Sequence, residues 1–243
     1  MARIDDLVDV ALKSLKPKPL DTASAPEKKA YSEAMSAAIA VAFAEELRLR
    51  GMKEARPSGP GDVGSSGAER RLAGGIGAKR VDVSWATDES GLLLGASIKT
   101  INFRDRNTKN FQKNLTNRRG DMVGEVLTLH RRFPYAVVAG FLFLDKDADT
   151  DATKHRKSTF QNAFPRLKIF TGRQDPAGRD EQFERLYLLL VDASPFSSST
   201  SCFQVNDSNR VVTLDEVFNE LASLLAERNF DFYEENNGMI QRA

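Results

Sequence analysis

Cysteine is almost absent from this sequence of 243 residues. Cys202 stands alone, which excludes a disulfide framework and a cysteine-based zinc site. Histidine is nearly as scarce: with only His130 and His155, a centre built on several imidazoles is excluded too. An excess of one charge is also missing. There are 35 basic and 34 acidic side chains, a net charge of +1, so the whole-chain average gives no case for a nucleic-acid or membrane partner. No long hydrophobic run exists either. The longest, Ala136 to Leu144, contains one Gly and falls far short of the roughly 20 residues a membrane span needs. Met1 to Lys18 mixes acids and bases without the apolar stretch of a signal peptide. A cytoplasmic protein with no membrane partner is the expectation. What is present is ordinary: 41% hydrophobic and 28% charged residues, enough for a core at this length without covalent staples.

Periodicity organises the chain. Ile4, Leu7, Val8, Ala11, Leu12 and Leu15 share helical spacing, and Pro17 and Pro19 stop that helix. A long Ala-rich helix is predicted over 27–50, with Met35, Ile39, Ala42, Phe43 and Leu47 on one stripe and Gly51 closing it. Eight of the 16 glycines lie between Gly51 and Gly77, which predicts a surface loop over 56–77, or a loop whose backbone closes on a ligand. It is not a Walker phosphate loop, since no Gly-x-x-x-x-Gly-Lys-Ser/Thr occurs. The period then becomes two. Val81, Val83 and Trp85 alternate with Asp82 and Ser84, and a second strand over 92–101 completes a hairpin. Residues 106–133 read as mostly helical with a break near Gly120. Ala136–Leu144 and Leu186–Val191 read as strands buried on both faces, with a helix over 158–166 between them. Thr213 and Glu216 form a capping box ahead of a C-terminal helix. This order predicts an α/β fold: a mixed central β-sheet flanked by helices, with 1–52 as an N-terminal helical segment and 53–243 as the core carrying the C-terminal helix.

The hairpin carries the chemistry. Leu94, Ala96 and Ile98 share one face, which sends Ser97 and Lys99 to the other; on the first strand Asp82 opposes Val81, Val83 and Trp85. A carboxylate and a lysine are thereby expected on neighbouring strands, on the solvent side. Aspartate is a hard oxygen ligand for Mg²⁺, and a lysine beside it orients water or neutralises charge on a phosphate.

This pattern resembles the PD-(D/E)xK nuclease superfamily, to which restriction endonucleases belong. Its signature is an Asp on one strand and acid-x-Lys on the next. Here the residues are Val81-Asp82-Val83 and Ser97-Ile98-Lys99, with Ser97 where the acid usually stands. Some restriction enzymes share Ser-x-Lys and take the missing carboxylate from the following helix. In that helix Met122, Val126, Leu129 and Phe133 define the buried stripe, Glu125 lies on its flank with Arg118, and Asp121 lies further toward solvent. Glu125 is therefore the expected relocated acid and Asp121 the second choice. Glu69, 13 residues before Asp82, is the first candidate for an additional upstream acid, with Glu45 and Glu46 as competitors. The segments Lys113 to Asp121 and His130 to Pro134 add to the likeness, which covers about 69–145. The resemblance implies a restriction-endonuclease-like core and a metal-dependent DNA endonuclease serving restriction or defence. Asp82, Glu125 and the Ile98 carbonyl would hold Mg²⁺ (or Mn²⁺) with help from Glu69, and Lys99 would position the attacking water.

Local charge fits a phosphate partner. From Lys99 to Arg119 there are seven bases against one acid, Asp105. Arg104, Lys109, Lys113, Arg118 and Arg119 are the expected nucleic-acid contacts. Asn102, Asn107, Asn110, Gln112, Asn114 and Asn117 add amide groups suited to base edges. Phe103 and Phe111 are read as core anchors before stacking groups, His130 as a satisfied structural histidine, and Asp145 to Asp151 as a solvated loop. Three rival readings stand beside the endonuclease: an inactive relative that binds nucleic acid, a scaffold docking an acidic partner protein, and a nuclease acting on RNA. Cleaving both strands needs two sites, so a homodimer is expected by symmetry, and a partner protein of a defence system fits the same role.

Overall fold

Two helices open the chain where the apolar repeats place them. α1 (Arg3–Lys13) turns Ile4, Val8 and Leu12 inward. α2 (Ala25–Leu49) begins where Ser24 and Glu27 cap each other, with proline in the first turn. The computed structural model describes residues 2–58, 70–194 and 198–243. After α2 come a short antiparallel ribbon of β1 (Arg70–Ala73) and β2 (Ala78–Val81), then β3 (Val83–Thr87), β4 (Gly91–Ile101) and α3 (Gln112–His130). β5 (Val137–Asp145), α4 (Thr159–Leu167), β6 (Arg185–Asp192), β7 (Ser199–Gln204) and β8 (Val211–Val212) follow. The described chain closes with α5 (Leu214–Arg228) and a hairpin of β9 (Tyr233–Asn236) and β10 (Met239–Arg242).

The fold is α/β. Its six-stranded sheet runs β3-β4-β5-β6-β7-β8, parallel from β4 to β6 and antiparallel outside that centre. Helices cover both faces, and each face has its own core. Ile39, Phe43 and Phe218 of α2 and α5 meet Ile98, Phe141, Phe143 and Tyr187 on one side. Leu115, Met122 and Val126 of α3 and Phe164 of α4 meet Val138, Leu142, Leu186 and Leu188 on the other. The strict alternation of β5 between the two cores explains its unbroken apolar run: a strand with no solvent face has no polar positions to offer. No helix among the described residues is long and apolar enough to cross a membrane.

Several expectations need correction. The predicted loop over 56–77 ends early, because 70–81 folds as the β1–β2 ribbon around Gly74, Gly75 and Gly77. The strand expected to run through Val81, Val83 and Trp85 is broken at Asp82. Val81 packs with α3, whereas Val83 and Trp85 face α2, so the alternation in the sequence spans two strands. The helix expected over 106–133 starts at Gln112 and passes through Gly120 without a break; that glycine costs about 1 kcal/mol in a helix but faces open space. Phe133 is only half-buried and does not join the Met122–Val126–Leu129 stripe as a core residue. β7 to β10 are additions to the expected elements; β7, next to the edge strand β8, reads Ser-Thr-Ser-Cys-Phe-Gln, too polar to show a pattern. Phe103 and Phe111 are buried as expected, and Cys202 is buried too.

Candidate active site

β4 supplies two of the site's four side chains because a bulge precedes them. Trp85 pairs with Leu94 and Ala86 with Leu92, so Leu93 is the extra residue. Beyond it, Leu94, Ala96 and Ile98 point to α2, and Ser97 and Lys99 point to α3. Val83 pairs with Ala96, which puts Asp82 just past the end of the β3 ladder. There its carboxylate does the work of a strand neighbour: Oδ2 accepts the Ile98 backbone N–H at 2.6 Å and the Lys99 ammonium at 3.0 Å. The Ile98 side chain is buried, but its backbone borders the cleft, and in a strand the carbonyl of a residue points to the same side as its N–H.

α3 completes the group. Glu125, on the flank of the Met122–Val126–Leu129 stripe, reaches down to the sheet. Its Oε2 accepts the Ser97 hydroxyl at 2.5 Å and its Oε1 lies 2.9 Å from Lys99 Nζ. Ser97 therefore holds Glu125 of α3 over the sheet. The expected solvent-side position is corrected: α3 covers this face, leaving the side chains of Asp82 and Glu125 20% exposed and that of Lys99 13%.

The electrostatics follow from that cover. Burial works against the Lys99 charge, but Asp82 and Glu125 outweigh it and the ammonium is held above its usual range. For Glu125 burial dominates and Asp82 adds repulsion; Lys99 and Ser97 compensate only in part, so its carboxyl is pushed above the ordinary glutamate value. Two anions share one cation here, leaving a formal deficit of one positive charge. Among the described residues no cluster of three or more His, Cys, Asp or Glu is placed to hold a metal ion. The donors that are present are all hard oxygens: two carboxylates meeting at one ammonium and a backbone carbonyl beside them. That set suits a small divalent ion that keeps several of its waters.

The group lies in an open cleft of about 930 Å³. Of the expected nucleic-acid contacts, Arg104, Lys113 and Arg118 line this cleft, each already beside an acid: Asp147 at 3.0 Å, Asp105 at 2.7 Å and Asp121 at 3.4 Å. Lys109 and Arg119 stand outside its lining. Lys109 sits in a left-handed turn, and the Arg119 guanidinium lies over the Phe170 ring. Asp121 is on the rim. Glu69 lies outside the described residues. Glu45 and Glu46 are engaged elsewhere, Glu45 by Arg48 and Glu46 by Arg3 and Arg50. Glu33 of α2 borders the cleft and escaped the sequence reading. Its signal was the polar stripe Lys29, Ser32, Glu33, Ser36 opposite the Met35–Ile39–Phe43 stripe. Lys28, Lys29, Lys79 and Arg106 are further bases around the cleft.

Set against protein families, curated proteins and solved structures, the chain finds no match in any of the three.

Proposed function

We propose that this chain is a metal-dependent endonuclease that hydrolyses DNA phosphodiester bonds. The observation carrying the reading is the convergence of Asp82, Lys99, Glu125 and Ser97, from three elements, on one point of a cleft ringed by bases. Asp82, Glu125 and the Ile98 carbonyl would hold Mg²⁺, with Mn²⁺ as a substitute. Bound there, such an ion supplies Lewis-acid stabilisation of charge on the phosphate and its leaving oxygen. Lys99 donates ammonium hydrogen bonds to the attacking water or to a phosphate oxygen, and so orients the one and offsets charge on the other. Ser97 positions Glu125. Arg104, Lys113 and Arg118 receive the backbone phosphates along the cleft. A cytoplasmic place of action and a role in defence against foreign DNA belong to the same reading.

A second reading, that the chain binds nucleic acid without cutting it, draws on the engagement of Lys99 by both carboxylates at once. Plasmid cleavage separates the two. Cleavage is expected with Mg²⁺ or Mn²⁺ and not after chelation, with Ca²⁺ supporting binding alone. Asp82→Ala and Lys99→Ala are expected to abolish cleavage while the chain stays folded. Cleavage that persists after exhaustive chelation, or near-native turnover in either variant, overturns the proposal. Salt-sensitive DNA binding without cleavage under any metal establishes the second reading.

A further inference from the structure

We propose that the outer face of the β1–β2 ribbon is a second contact for duplex DNA, taking the phosphate backbone beside the cleft. The inference rests on the nucleic-acid reading of that cleft. In the ribbon register Arg71 lies directly opposite Arg80, Leu72 opposite Lys79 and Ala73 opposite Ala78. The period of two divides these residues between two faces. Leu72 and Val81 face inward and pack with the α3 core, and Lys79 on the same face reaches the cleft. The outer face is left with two alanines and two arginines.

Like charges placed directly opposite each other on a ribbon destabilise it. Arg71 and Arg80 are both exposed, and among the described residues neither side chain has a hydrogen-bond or ion-pair partner. Such a pair is stabilised by a polyanion, and the planar guanidinium fork suits phosphate in particular. The face is preorganised. Gly75 N–H donates to the Thr128 carbonyl at 2.9 Å, and a side chain at Gly74 or Gly75 would collide with Thr128 or Arg131. Guanidiniums on an exposed face take backbone phosphates, a contribution independent of sequence. Arg80 precedes Asp82 by two residues, about 7 Å of strand. The ribbon therefore serves phosphates beside those that enter the cleft.

The test is binding of labelled duplex DNA to the full chain over a range of salt, with Ca²⁺ as the metal. The expected result is that Arg71→Ala/Arg80→Ala flattens the log–log salt slope by about 1.8, at about 0.9 per phosphate contact. Arg71→Lys/Arg80→Lys should keep most of that slope, because the charge is retained. On a duplex too short to run past the cleft, the alanine pair and the native chain should bind alike. The alanine pair should also melt no lower than the native chain, since it relieves a like-charge opposition. If the native chain binds long duplex DNA with a steep slope and the alanine pair leaves that slope unchanged, the ribbon proposal falls and the cleft reading stands. If the native chain binds no duplex DNA, both fall. A loss confined to duplex RNA overturns the assignment to DNA.

Discussion

Two glutamates of this protein are paired with basic side chains, and they differ in almost every other respect. Glu184 is fully buried between Arg173 at 3.3 Å, Arg228 at 2.6 Å and His130 at 3.2 Å, and it accepts the Val138 backbone N–H at 2.7 Å. Burial opposes its charge, but the His130 hydrogen bond and charge, with Arg228 and Val138, outweigh it; its carboxyl is held below the ordinary value. Glu125 shares one lysine with a second carboxylate, stays open to a cleft, and has its carboxyl pushed up. The first site surrounds an anion with more cations than it needs and seals it from solvent. The second leaves an anion undercompensated at a surface. Excess compensation in a closed place serves the fold, whereas a deficit in an open place is what a ligand with positive charge would correct.

The largest effect expected from this contrast is on stability. Glu184→Ala strands two buried guanidiniums and should cost about 3–5 kcal/mol, read as a drop in the urea midpoint. Glu125→Ala should cost much less, because Lys99 keeps Asp82. Equal losses from the two variants would erase the distinction drawn between the sites.

The next concerns activity. Glu125→Ala should be inactive, since one of two carboxylates is lost. Adding Ser97→Glu should restore part of the cleavage, because the new acid grows into the space Glu125 vacates and faces the same Lys99. Recovery should stay incomplete, as a group misplaced by about 1 Å can cost about a hundredfold in rate. Full turnover in Glu125→Ala alone would make Glu125 a structural acid. A folded, DNA-binding but inactive double variant would remove the main support for the swap between strand and helix.

The pH dependence should have opposite signs at the two sites. A raised carboxyl pKa means that ionisation costs stability, absent in acid and growing as pH rises from 4.5 through the folded value. Glu125→Gln should therefore gain stability relative to the native chain as pH rises toward neutrality. A lowered pKa means stability that is complete above 4.5 and lost as pH falls through the folded value. Glu184→Gln should lose ground to the native chain as pH rises through the acid range below 4.5, and hold a constant deficit above it. Urea midpoints across pH measure both trends, and parallel trends would contradict the assigned directions.

The smallest effects belong to the cleft wall. Arg118→Ala and Lys113→Ala should each flatten the salt slope of DNA binding by up to about one unit. Arg119→Ala, whose guanidinium lies over Phe170, should leave it unchanged. A slope unaltered by Arg118→Ala and Lys113→Ala would place the nucleic acid elsewhere.

How much of this could be read from residues alone depends on where the information resides. The alternation of β4 and the apolar runs of β5 and β6 are local, and they placed Ser97, Lys99 and the two-faced sheet. Glu125 was readable because its angle from the Met122–Val126–Leu129 stripe follows from helix geometry alone. Asp82 was found for an incomplete reason. Its strand breaks beside it, which only the packing of Val81 against α3 reveals. The ribbon was hidden inside a glycine-rich stretch, where composition predicts a loop and only the seat on Thr128 and Arg131 explains the glycines. The Glu184 cluster could not be assembled from sequence: its members come from α3, α5, β5 and the segment that leads into β6, and nothing at position 184 announces burial.

That cluster also bears on how the chain is made. The four strands β3 to β6 are complete once residue 192 has been synthesised, yet two things are then missing. Phe141, Tyr187 and Leu189 lack the part of their cover that Phe218 and Leu221 of α5 provide, and Glu184 lacks Arg228. An emerging chain must therefore hold an apolar sheet face and an incompletely neutralised carboxylate until α5 leaves the ribosome. The sheet can be laid down first, but closure of its core waits for α5, and the interval before α5 arrives is when the nascent protein is most exposed to misassembly.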